Sequence, residues 1–547
     1  MAADYSNSNV NNETVLAFAQ QEWERLRKLN SRAVGKAVWL CTWEQLRHAE
    51  ADLLDQANKQ FKAIYSDSFF IIEKEEQIII AGNGDRAVLF GVYQYAQDVW
   101  GLHAVYPLLG DESLNEFSNP EDASTRAYTV NEIHIFSPAM ERRGFVFETI
   151  NDPPYLKAMI QWFGQNKINE MFFTFSLWDQ VKEHIAPEIR KRGIQVTLGG
   201  HSMKFLQKLN TEEADHPQET ANHPYTAKEQ FDFENKDWQL PLIHKIISYC
   251  RTVPNLTTIS LWPEDIAAKQ SSDFVRPYIE FTELLKDELA RAGLSLSVEH
   301  IAYNAGLAWH MLELSGDNSA SIDTLYAYWG RDYRFGYVDS PKVEDKRAEA
   351  ALKQWAAAVS NKERKLTIFE YYSDHYMLTN LFPNLSRRII EDVTYYSQYE
   401  LHGMTNLVVP YRGEDDYSWK RASGLNSYVF AQAFWIRDYE QIMDNYYSYY
   451  PKHERASARR LMEAIEEELA AVTSWNVVLF PARATDPLQI RNGKQHKEAV
   501  IAMLQQIEEK LEAAVQDSTL VQEHAVARLA NYVISYARRI KEQWISL

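Results

Sequence analysis

The sequence predicts an α/β fold: a (β/α)8 TIM barrel preceded by a small α/β domain and followed by a helical domain. Three observations carry this. The chain has 547 residues, enough for two or three domains. Its middle, 126–415, repeats a strand-then-helix unit eight times. The remainder, 416–547, is largely proline-free and reads as helices.

The front domain, 1–125, opens with an amphipathic helix from Glu13 to Leu29. A short apolar strand, AVWLCT at 37–42, follows. A helix carrying Leu46, Ala49, Leu53 and Ala57 comes next. FFIIEKEEQIIIAG at 69–82 then reads as a hairpin, two β-rich runs broken by charges. NGDRAVLFGVYQYAQDVWGLHAVYP begins as a turn and continues as a helix. The linker SLNEFSNPEDAS closes the unit.

The barrel strands are expected at RGFVFE (143–148), EMFFTFSLWD (170–179), IQVTLGGH (194–201) and TTISLWPED (257–265). The other four are LSLSVEHIAYN (294–304), DTLYAYWGRDY (323–333), KLTIFEYYSDH (365–375) and TNLVVPYRGE (405–414). No G-x-G-x-x-G follows the first strand, so a dinucleotide fold has no support.

The net charge is −19, from 57 basic and 76 acidic residues, which argues against nucleic acid and anionic membranes as partners. No apolar run approaches the ~20 residues of a membrane span. The N-terminal stretch lacks a basic and then apolar leader pattern, so the expected location is cytoplasmic and the expected substrate a small imported oligosaccharide. Cys41 and Cys250 have no metal-ligand spacing and read as buried small hydrophobes. The 15 histidines form no HExxH pattern, so neither a metal nor a cofactor is expected. The 15 Trp, 31 Tyr and 24 Phe fill large cores and also supply rings on which sugars stack.

Barrel chemistry comes from the C-terminal ends of the strands. Carboxylates and aromatics recur there, and glycoside cleavage needs two carboxyl groups flanking the scissile bond. Strands four and seven face each other, so Glu264 and Glu370 are the expected pair, with Glu264 as acid and Glu370 as base or nucleophile. Trp262, Asp265 and Glu370 are expected to raise the pKa of Glu264. Substrate contacts are expected from Trp178, Trp262, Trp329 and Tyr372 by stacking, and from His201, Tyr303 and Tyr411. Gly199 and Gly200 before His201 suit close backbone approach or positive φ. Arg331, Arg334 and Arg412 stand at strand ends in an acidic protein, where an arginine recognises a uronic acid or holds Asp332 or Glu414 in an ion pair.

Several segments carry a resemblance. IIIAGNGDRAVLFGVYQYAQDVWGLHAVYP resembles the N-terminal domain of bacterial α-glucuronidases and β-hexosaminidases. Arg142-Arg143-Gly144-Phe145 resembles the Arg-Gly-Phe start of their first barrel strand, which brings Arg143 into the substrate-binding set. LGGHS, SLWPED and GLNSYVFAQAFWIRDYEQIMDNYYSYY resemble a bacterial group of α-glucuronidase-like proteins. The resemblance implies Glu264 as acid, with Asp332 and Glu370 sharing the base function. The hexosaminidase strand four ends Asp-Glu; here the order is Glu264-Asp265, against substrate-assisted cleavage of an N-acetylated amino sugar.

Two other readings remain. One is a lyase or isomerase on the same barrel, using Tyr303, Tyr371 and His201. The other is a non-catalytic carbohydrate-binding protein. The aromatic helix FAQAFWIRDYEQIMDNYYSYY, with Trp435 and Tyr446, either packs on the barrel or makes a homodimer face.

Overall fold

The computed structural model describes residues 14–30, 35–107, 116–118, 125–208, 233–263, 275–304, 309–314, 319, 321–360, 364–374, 381, 383–410, 420, 424–470 and 497–546. The front domain holds a four-stranded sheet in the order β1-β3-β2-β4: β1 is Ala37–Thr42, β2 Phe69–Glu73, β3 Gln77–Gly82 and β4 Ile133–Phe136. β1 runs parallel to β3, and β2 is antiparallel to both β3 and β4. The alternation of side chains builds two cores. Phe69 and Ile71 face the helices Val15–Leu29 and Asp85–Trp100, whereas Phe70 and Ile72 pack with Trp43, Leu46 and Leu54. β4 is a correction. Its four half-buried residues carry too short an alternation to read as a strand.

The eight remaining strands close a parallel barrel: β5 Arg142–Phe147, β6 Glu170–Thr174, β7 Gln195–Gly200, β8 Leu256–Leu261, β9 Ser297–Tyr303, β10 Asp323–Ala327, β11 Leu366–Asp374 and β12 Gly403–Val409. Helices at 153–165, 175–192, 236–250, 275–291, 343–360 and 386–396 lie between consecutive strands. A helical region at 424–433, 439–447, 455–469, 497–516 and 525–546 follows β12.

The floor of the barrel is polar. Arg142 on β5 turns inward, its Nε 2.7 Å from Glu170 Oε1 and its Nη1 2.7 Å from Glu299 Oε2. Thr197 also donates to Glu170. Gly144 is forced by this layer, because a β-carbon there would stand 2.1 Å from Glu170 Oε2. Above the floor sits an aromatic layer, with Trp262 edge-on to both Phe172 and Phe369 at centroid distances of 5.2 and 5.5 Å.

Arg143, next to Arg142, turns outward by strand parity. It is fully buried and bonds Asp67 of the front domain as well as the carbonyls of Met140, Glu141 and Lys167. Asp67 also takes Arg86, so the two arginines clamp the front domain to the barrel's N-terminal end. Trp435 lies against Phe69 and Phe90, with the Arg143 guanidinium 5.3 Å from its ring centre. Tyr446 is buried against Tyr106 and Tyr428. The expected single helix is two, 424–433 and 439–447, with Trp435 between them and Tyr446 on the second, and both side chains pack within the chain. Cys41 and Cys250 are buried free thiols, both pushed up to about 12 by burial.

Candidate active site at the C-terminal mouth of the barrel

Strand parity decides which side chains reach the mouth. On β5, Arg142 and Gly144 point inward, so Glu148, just past the strand, does too. On β9, Glu299 points inward and Tyr303 follows it four residues later. The Tyr303 hydroxyl donates to the Pro263 carbonyl at 3.4 Å. Asn304, next along, clasps the Trp329 backbone: its Nδ2 donates to the Trp329 carbonyl at 2.7 Å, and the Trp329 N–H donates back at 2.8 Å. The Trp329 indole N–H in turn reaches Asp374 Oδ2 at 3.3 Å.

The two glycines of β7 are required by geometry. A β-carbon on Gly199 would fall 1.7 Å from the Ser260 carbonyl oxygen, so β7 and β8 close only over glycine. Gly200 has φ +65°, the left-handed region that disfavours other residues. His201 follows, its ring edge-on to Trp262 at 5.4 Å. The mouth thus gathers His201, Trp262, Tyr303 and Trp329 of the expected set, with Glu148, Asn304 and Asp374 added, and Tyr371, expected for a lyase or isomerase, packs edge-on against Phe369 at 4.9 Å. Glu148 and Asp374 were legible as strand-end carboxylates; counting two residues at a time from Arg142 would have picked out Glu148.

Four expected residues, Glu264, Asp265, Tyr411 and Arg412, lie outside the described residues. Others need correction. Glu370 points away from the mouth, because Phe369 before it faces inward to Trp262. Its carboxylate is buried between β11 and the helix Ser386–Tyr396, where it accepts from Tyr333 at 2.6 Å, from Arg331 at 3.1 Å and from Tyr396. Burial raises its pKa above the usual carboxylate range, although Arg331 pulls the other way. Tyr372 shares that outward face and donates to Asp392 at 2.9 Å. Trp178 is buried on the helix Phe175–Arg192 against Phe173, 5.5 Å between centroids. Arg143 sits at the opposite end of the barrel, as described above.

The strand-six arginines are spent on ion pairs. Arg331, 1% exposed, places Nη2 2.7 Å from Asp392 and Nη1 3.1 Å from Glu370, with Tyr337 stacked 4.2 Å from its guanidinium. Arg334 grips Asp332 through Nε and Nη2, at 2.9 and 2.5 Å, which engages the Asp332 carboxylate as well. Among the described residues, no group of three or more His, Cys, Asp or Glu side chains is placed to hold a metal ion. No helix among them is long and apolar enough to cross a membrane.

No family model matches this chain, and no curated protein does. Solved structures do. The chain is similar to CpGH84B, with a TM-score of 0.50 and 10% identity over 100% of this chain and 89% of that one. It is also similar to a GH138 enzyme targeting pectin rhamnogalacturonan II, with a TM-score of 0.54 and 11% identity over 99% of this chain and 68% of that one. At such identities the likeness is one of fold alone: a TIM barrel with flanking domains.

Proposed function

We propose that the chain is a glycoside hydrolase that cleaves a small carbohydrate in the C-terminal mouth of its barrel. The observation that carries this reading is the Asp374 carboxylate, bonded by the Trp329 indole beside a mouth floored by Trp262. Such a site offers a sugar both a stacking surface and an anionic group. The fold shared with two structures bearing glycoside-hydrolase family names supports the same reading. Glu264, three residues beyond β8 in the sequence, is assigned as general acid that protonates the leaving oxygen. Asp374 takes the role first given to Glu370: it activates water or attacks the anomeric carbon as positive charge develops on the sugar.

The test is a panel of aryl glycosides, followed by Glu264→Gln, Asp374→Asn and Glu370→Gln on the best substrate. The first two should each abolish turnover, and Glu370→Gln should retain it if the variant stays folded. Full turnover in Asp374→Asn overturns the assignment. Binding of sugars with no turnover across the panel turns the protein into a carbohydrate-binding barrel.

A further inference from the structure

The Asp374 carboxylate reaches the mouth because β11 breaks its alternation. Phe369 faces inward, and Glu370 and Tyr372 face outward, so unbroken parity would send Asp374 outward too. Between the pairs Glu370–Asn406 and Ser373–Val408, β11 has two residues, Tyr371 and Tyr372, where β12 has Leu407 alone. The extra residue makes a bulge, which returns Asp374 to the inner side, where the Trp329 indole meets it. A bulge takes backbone groups out of the ladder, and buried ones need other partners. Tyr333 and Asn426, both buried, supply them. The Tyr333 hydroxyl accepts from the Tyr371 N–H at 3.3 Å while donating to Glu370 Oε2 at 2.6 Å. Asn426, on the helix 424–433, donates to the Tyr372 carbonyl at 2.9 Å. The same amide donates to the Pro383 carbonyl at 3.1 Å and accepts from the Leu385 N–H at 2.8 Å, which fixes its orientation.

We propose that Tyr333 and Asn426 are positioning residues that hold this bulge and thereby aim Asp374 into the mouth. The catalytic consequence rests on the reading of Asp374 as the carboxylate that activates water or attacks the sugar. Each residue acts through the backbone of one bulge residue, and they come from different parts of the chain. Tyr333 belongs to the segment after β10, and Asn426 to the helical region, which so takes a share in setting the site. Removing either anchor leaves a buried backbone group without its partner, a cost that regular strand pairing relieves. Regular pairing turns side chains to the other face, and Asp374 then leaves the Trp329 indole. Such a displacement acts on rate more than on binding: a misplacement of about 1 Å costs about a hundredfold.

The test reads the aim of Asp374 apart from turnover. Tryptophan in the full chain is isotopically labelled, and the indole N–H resonances are recorded by NMR. Loss of one signal in Trp329→Phe identifies Trp329, and Asp374→Ala marks where that signal lies without its carboxylate partner. In Tyr333→Phe and Asn426→Ser the signal should move from the wild-type position towards the Asp374→Ala position. Tyr93→Phe is the control: it also removes a buried hydroxyl that donates to a carboxylate, Glu22 at 2.7 Å, but in the front domain. It should leave the signal in place. On an aryl glycoside that the wild type hydrolyses, the two positioning variants should lower kcat by about tenfold or more with KM little changed, and Tyr93→Phe should not. An indole signal that stays in place in Tyr333→Phe overturns the proposal, as does one that moves equally in Tyr93→Phe or fails to move in Asp374→Ala. A moved signal with unchanged kcat in an active enzyme overturns it as well. Should Asn426→Ser fail to fold, Tyr333→Phe, which keeps the ring, decides alone. The two readings fail separately. A signal that moves as expected in a protein that hydrolyses no glycoside leaves the positioning and removes the hydrolase; turnover abolished by Asp374→Asn but untouched by Tyr333→Phe, with the signal in place, does the reverse.

Discussion

The Trp329 indole donates to Asp374 Oδ2 at 3.3 Å and so ties together the C-terminal ends of the neighbouring strands β10 and β11. The backbone of Trp329 is independently held by Asn304, so the ring is positioned before any ligand arrives. Trp329→Phe keeps a ring and loses the bond to Asp374. It should lower kcat by about tenfold with little change in KM, because one hydrogen bond to a charged group is worth about 1.5–3 kcal/mol. Trp329→Ala should raise KM as well. Steady-state kinetics on an aryl glycoside separate these outcomes, and an unchanged kcat in Trp329→Phe counts against a role for the bond.

Arg331 is the centre of the layer behind the mouth. It neutralises two carboxylates, and Tyr333, Tyr337 and Tyr396 surround them. Arg331→Met fills much of the volume but leaves Glu370 and Asp392 buried side by side. Loss of one partner of such a cluster costs about 3–5 kcal/mol. Urea denaturation should show that loss, and the ratio of glucoside to glucuronide binding should not change. A ratio that shifts towards the glucoside in the variant would return Arg331 to the substrate pocket.

Asp67 and Arg143 make a comparable test at the other end of the barrel. Asp67 is buried between two guanidinium groups; burial opposes its charge, but Arg86 and Arg143 hold its carboxyl below the usual range. Asp67→Asn leaves Arg143 buried with only carbonyl partners and an amide. The expected loss is again about 3–5 kcal/mol, with front domain and barrel losing cooperativity in a calorimetric melt. KM should hold at a temperature where the variant is folded, since the clamp lies at the opposite end from the mouth.

The architecture was legible because period and length speak directly: eight alternating units fit a closed parallel barrel, and the glycines before His201 announced a constrained strand end. The facing of side chains was less legible. Glu370 lies in the middle of β11, four residues short of its end, and a neighbouring residue on the same strand has the opposite aim, as Phe369 against Trp262 reveals. The register shift between Glu370 and Ser373 complicates it further, since a bulge resets parity just before Asp374. Arg143 was misread because an Arg-Arg pair on a strand sends one side chain inward and the other outward. Trp178 belonged to the helix that begins directly after β6, where the sequence run EMFFTFSLWD continues without a break in hydrophobicity.

The last prediction concerns acid. Burial pushes His103 down to about 4, helped by Lys167 and Arg455, and pushes His300 down to about 3, helped by Arg364. His402 is pushed down to about 3 by burial, then by Lys365 and Arg142. All three are held neutral in the fold and accept a proton near pH 6.5 once unfolded. A folded pKa below the unfolded one means stability that is present above pH 6.5 and lost as pH falls towards 4. Each histidine should therefore contribute a loss of about 2 kcal/mol by pH 4.5. Glu299 and Glu370 act with the opposite sign, because burial raises their carboxyl pKa and the fold favours them protonated; their contribution is lost as pH rises through the raised value. Melting curves of the wild type alone mix the two effects, so a histidine variant is needed. His103→Phe is suitable, because the Nε2 of His103 makes no hydrogen bond and the site is buried. Its melting temperature should fall less between pH 6.5 and 4.5 than that of the wild type, while the carboxyl contribution stays the same in both. Parallel curves for the two proteins would mean that His103 is protonated in the fold, and the assignment of acid sensitivity to a buried neutral histidine would fail there.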